Sequence, residues 1–207
     1  MTDELLNFPE LVTDPSKFSY LRSECEKIIG LRKRLPDFVF EKRFAKYYVI
    51  EQSLVFWKTT PSLLSRVAKM FGDDSVNYIT IIPDAVDYYR RHFSFFGLAC
   101  FEPANLEDRY LPVMKRGGAV DSFLARGGDV GALWGSSLKW AIATDRISWE
   151  LAVVAAQEDV DVSTLLGCPC FNAKQVTSYI TNLYHMKDPS DSIANEFSRR
   201  FLTNYPV

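Results

Sequence analysis

The chain has 207 residues, 47% of them hydrophobic and 24% charged, with 24 Lys and Arg set against 26 Asp and Glu for a formal charge of −2. Such a length and balance predict one globular domain over 1–207 with a full core, and they leave no need for a metal or disulfide staple. The acidic balance offers no concentrated basic face of the kind broad nucleic-acid binding requires, and no apolar run approaches the ~18 residues of a membrane span.

The first residues, MTDELLNFPELV, lack both a basic start and a long apolar core, so no secretory leader is expected and the cytoplasm is the expected location. Asp14 and Pro15 form a helix start, an N-cap followed by proline in the first turn. Phe18, Leu21, Cys25 and Ile28 then recur at spacings of three and four, which predicts a helix over 15–30. The stretch 37–57, DFVFEKRFAKYYVIEQSLVFW, is rich in aromatic and β-branched residues and predicts one or two strands; EKRFAKYYVIEQ also admits a helix. A second helix start, Thr60-Pro61, leads into Leu63, Leu64, Val67, Ala68 and Phe71, with Gly72 placed as a C-terminal cap.

SVNYITII, residues 75–82, alternates as a strand and ends at Pro83. Asp84 caps a short predicted helix through AVDYYRRHF, and SFFGLACF reads as the next buried strand, closed by Pro103. Residues 104–136 look least regular, and they hold Gly117, Gly118, Gly127, Gly128, Gly131 and Gly135, six of the ten glycines. RGG occurs there twice, bracketing a short predicted helix, AVDSFLAR; turns explain the paired glycines without any ligand.

In SLKWAIATDRISWELAVVAA, residues 137–156, large apolar residues alternate on both sides of Asp145-Arg146. Pairing Ile142 with Trp149, Trp140 with Leu151 and Leu138 with Val153 puts all six on one face, which predicts a hairpin of 137–144 and 149–155 with Trp140 and Trp149 buried. The expected connection is a four-residue loop from Thr144 to Ile147. Ala141, Ala143, Ala152, Val154 and Ala156 form a small-residue reverse face, which suggests helices on both sides of the sheet. A competing reading makes SWELAVVAAQ a helix capped by Ser148. Asn172 caps AKQVTSYITNLY, and Ile193, Phe197 and Phe201 mark a final helix. Mixed helices and hairpin-like strands give an α+β fold class.

Candidate chemistry is sparse. His92 and His185 are the only histidines. His92, with Tyr88 or Tyr89 and a carboxylate, would line the pocket of an enzyme that carries no recognisable motif. His185 is explained by the dipole of its helix C-terminus. Cys168-Pro169-Cys170 lacks the two-residue spacing of common zinc sites, and Glu158, Asp159 and Asp161 lack the glycine and closing glutamate of a calcium loop. Neither a metal nor an organic cofactor is expected.

The run from Arg32 to Tyr48 interleaves Arg32, Lys33, Arg34, Lys42, Arg43 and Lys46 with aromatic rings, a mixture nucleic-acid surfaces use; strand alternation between a core face and a solvated face explains it as well. Few candidate catalysts, many aromatics and a long glycine-rich segment, 115–136, point instead to a protein-binding module with that segment as recognition loop. Arg126, Asp129 and Trp134 are its candidate anchors, although Trp134 also fits the core beside Trp140. An acidic α+β chain in which W-A-I-x-x-D-R, Trp140 to Arg146, runs into a second apolar strand is similar in general look to bacterial immunity proteins. No residue motif carries that similarity. It implies a toxin as the partner protein, neutralised by direct binding.

Overall fold

The Asp14 carboxylate accepts the Lys17 amide at 2.6 Å and Pro15 fills the first turn, so α1 begins where the sequence predicts and runs Pro15–Glu26. This computed structural model describes residues 8–88, 90, 95–116, 122–123, 129–146, 150–185 and 192–206. Strands β1 (Lys46–Glu51), β2 (Val76–Ile82), β3 (Leu98–Phe101), β4 (Val130–Gly135), β5 (Trp140–Asp145) and β6 (Leu151–Ala156) form one sheet. Its order is β1-β6-β5-β4-β2-β3, antiparallel throughout. The remaining described helices are α2 (Thr60–Phe71), α3 (Ala85–Tyr88), α4 (Leu106–Met114), α5 (Val162–Leu166), α6 (Ala173–His185) and α7 (Ser192–Asn204). The fold is α+β.

Helices cover both faces of the sheet. Phe18, Leu21 and Cys25 of α1 and Val176, Ile180, Phe197 and Phe201 of α6 and α7 pack against Trp134, Ala141, Leu151 and Val153. On the other face Leu63, Leu64, Val67 and Phe71 of α2 and Tyr110 and Val113 of α4 pack against Tyr78, Leu133, Trp140 and Val154. The α2 cap is as predicted: Gly72 takes φ 70°, a left-handed conformation that glycine adopts without a Cβ clash.

The 140–156 hairpin forms, but in another register. Trp140 lies opposite Ala156 rather than Leu151, an odd displacement of five that turns Leu151 and Val153 to the reverse face. Both faces of these strands are buried, so one-sided alternation cannot select the pairing. Large residues instead oppose small ones, Trp140 against Ala156 and Trp134 against Ala141. The strands extend to Asp145 and resume at Leu151, so the connection is longer than the expected loop, and Glu150 within it has φ 53°. Trp149 lies outside the described residues.

The segment expected to be irregular contains α4 and the buried strand β4. Pro112 within α4 masks its helical signal, and VGALWG, buried on both faces, shows no alternation. The AVDSFLAR helix falls mostly outside the described residues.

At the end of α2 the Asp73 carboxylate accepts Trp140 Nε1 and the Ser137 amide, each at 2.6 Å. A Cβ on Gly135 would lie 2.2 Å from Asp73 Oδ2 and 2.4 Å from Trp140 Nε1, so the glycine is required by close approach. Trp140→Ala is expected to lower unfolding free energy by ~3–5 kcal/mol in urea titration. Gly135→Ala should lower it by roughly 1–3 kcal/mol through overpacking. Parental stability in both variants would refute this assignment of the core.

Candidate functional site

After β1 the chain makes a tight 3-10 turn, Gln52–Phe56, and reaches the start of α2 through Trp57. The turn is well tied: the Trp57 amide donates to Leu54 O at 3.1 Å, the Thr60 amide to Trp57 O at 3.1 Å, and the Thr60 hydroxyl also donates to Leu54 O. Phe56 points inward and meets the Tyr78 ring edge-on at 6.2 Å, while Trp57 remains 53% exposed. An anchored turn thus holds a large aromatic side chain in solvent.

Trp57 forms one wall of a groove of about 510 Å³ with Gln52, Ser53, Phe56, Lys58, Leu111, Lys115 and Arg146. Leu111 and Lys115 come from α4 and the residue after it, and Arg146 from the β5–β6 connection. Asp129 fixes Arg146 twice, by an ion pair at 3.0 Å and by accepting its amide on the main-chain oxygen at 2.7 Å. Among the described residues no carboxylate lines this groove, and Lys58 and Lys115 have no ion-pair partner. The surface therefore combines aromatic area with uncompensated positive charge on a chain of formal charge −2.

The predicted anchors separate. Asp129 stands behind the groove as the partner of Arg146. Trp134 is wholly buried, and on the face opposite Trp140 rather than beside it, so it offers no surface to a partner. Arg126 lies outside the described residues, as do His92 and Tyr89. Tyr88 is buried, its ring packed on Phe95 and Phe123, so it presents no reactive group to solvent. The sequence does not bring Trp57 and its cations together, because they come from three separated segments. The only local signal is an aromatic residue just ahead of the Thr60-Pro61 helix start, outside the apolar stripe of α2.

Other singled-out residues have structural partners. Asp161 caps α5 by accepting the Thr164 amide at 3.1 Å, and Asp159 accepts the Tyr48 hydroxyl. In the basic-aromatic run, Phe38, Phe40 and Tyr47 pack their rings on Tyr205, so these rings are not free to stack on bases. The Ser163 hydroxyl contacts Cys170 Sγ at 3.3 Å. Among the described residues no three of His, Cys, Asp and Glu gather closely enough to hold a metal ion. No family model, curated protein or solved structure matches the chain.

Burial pushes the thiols of both Cys168 and Cys170 up, with Glu51 adding to the effect at Cys168. The thiolate is the reactive form, so a raised pKa leaves less of it at any pH below that value. Both cysteines should therefore alkylate with iodoacetamide more slowly than cysteine in the urea-unfolded chain at pH 8. The gap should narrow as pH rises past the ordinary thiol range. Faster labelling in the folded protein, read by mass spectrometry, would show an activated thiol.

Proposed function

We propose that this chain is a protein-binding module whose working face is the Trp57 groove. The observation that carries the reading is a half-exposed tryptophan on an anchored turn, ringed by Lys58, Lys115 and Arg146. Tryptophan and arginine dominate interface hot spots because each buries a large area with few torsions to freeze. The Asp129 contacts hold Arg146 in place before any partner arrives, which lowers the ordering cost of association. The finer reading is an immunity role, in which the bound protein is a toxin neutralised by direct occlusion; the general look of the chain supports it, and no motif does.

The test uses the full chain as bait in its native cell extract, followed by affinity measurement on the purified partner. Trp57→Ala should weaken binding roughly 30-fold or more, the scale of a hot-spot aromatic. Its thermal stability should stay within about 0.5 kcal/mol of the parent, as for other surface positions. A captured partner that is toxic alone and harmless beside this chain would support the immunity role. Undiminished affinity in Trp57→Ala would remove the groove as the binding face. The absence of any specific partner would remove the module reading itself.

A further inference from the structure

On the opposite face of the sheet, α1, the loop after it, β2 and the start of α3 enclose a cavity of about 530 Å³. This volume lies within the ~300–1,000 Å³ typical of small-molecule sites. Its floor includes Ile29, Ile79 and Ile81, and its charged walls are Arg22, Arg32 and Lys33 against Glu26, Glu41 and Asp84.

Each carboxylate already faces a cation. Arg22 meets Glu26 at 3.2 Å and Asp84 at 3.6 Å, and Lys33 meets Glu41 at 3.1 Å. A Cβ on Gly30 would lie 2.5 Å from Glu41 Oε1 and 2.7 Å from Lys33 Cδ, so the pair lies close across the loop and would have to shift to admit a side chain there. Arg32 lines the same cavity, and among the described residues it has no ion-pair partner.

Inward, the cavity adjoins a crevice of about 10 Å³, with Ile29, Gly30, Lys33 and Ile81 common to both. That is room for roughly one oxygen-sized atom. Arg34 lines the crevice, and its Nη1 is buried without a hydrogen-bond partner. Asp145, buried on the same wall, attracts the guanidinium but leaves Nη1 unbonded.

Cations and carboxylates balance along these walls, but the pairing is uneven: Arg22 takes two carboxylates, which leaves Arg32 without one, and Arg34 Nη1, two residues on, lacks an acceptor although Asp145 is near. Guanidinium forks match the planar oxygens of carboxylates and phosphates, which a hydroxyl or amide ligand would not reproduce. We propose that this cavity binds a small molecule carrying a carboxylate or phosphate group, with Arg32 holding the anion and Arg34 Nη1 taking one oxygen at the inner end. The site is separate from the Trp57 groove and does not depend on it.

Isothermal titration calorimetry of the full chain tests this with sodium phosphate and with disodium succinate, each against sodium chloride of matched ionic strength. Saturable binding of at least one anion is expected. Arg32→Ala and Arg34→Lys should each weaken it roughly tenfold or more, the scale of a lost charge-assisted hydrogen bond. Lys115→Ala, on the other face, should bind like the parent. Binding of phosphate alone would mark a phosphorylated ligand, and of succinate alone a carboxylic acid. Heats no different from chloride for both anions would overturn the proposal. So would undiminished binding in folded Arg32→Ala and Arg34→Lys, or equal weakening by Lys115→Ala.

Discussion

One buried carboxylate organises the centre of this molecule. Asp73 receives the Trp140 indole N–H and the Ser137 amide across the bare backbone of Gly135. An unpaired carboxylate in that position would carry a large desolvation penalty, and two charge-assisted bonds offset it. The geometry also does structural work, because Asp73 follows the left-handed cap of α2 while Trp140 opens β5. A helix end is thereby pinned to the β4–β5 turn, and the side of the sheet that receives Trp140 is decided. Once the indole is placed there, Ile142 and Val154 follow it and Trp134 must face the other way.

The same two-sided burial explains what the sequence makes legible. Helices with one solvated face announce themselves: the starts at Asp14-Pro15, Thr60-Pro61 and Asn172 all appear, the last as a reciprocal capping box with Gln175. Strands β4, β5 and β6 are buried on both faces, so their side-chain pattern carries no direction. The hairpin can be read from its strand-forming residues, yet its register depends on matching Trp140 to Ala156, a volume argument that needs the covering helices. Strand β4 hides for the same reason, its glycines suggesting a loop when Gly131 and Gly135 are instead spaces for Tyr78 and for the Asp73–Trp140 bond.

Binding surfaces were less legible than the fold, and the cause is electrostatic as well as topological. A formal charge of −2 averages over the chain, whereas recognition depends on which charges remain uncompensated after ion pairing. Lys58 and Lys115 come together with Arg146 from distant segments. Arg32 and Arg34 are close in sequence, but what sets them apart from Lys33 is that Glu41 pairs with the lysine. Neither circumstance can be seen in composition. The glycine-rich stretch around Trp134 suggests an accessible loop, and the sheet takes the side chain inside.

The end of β5 shows how near the two candidate surfaces are. Asp145 lines the crevice behind the cavity, and the very next residue, Arg146, lines the Trp57 groove. Alternation along a strand sends neighbouring side chains to opposite faces, so one peptide unit separates the two sites. Asp129 closes the arrangement by holding Arg146 through side chain and main chain, while the adjoining Val130 lines the crevice. A change at 129, 145 or 146 would disturb both surfaces at once and could not assign an effect to either. Trp57 and Lys115 on one side and Arg32 on the other stand away from this shared strand end. They are therefore the positions at which the two proposed binding activities separate.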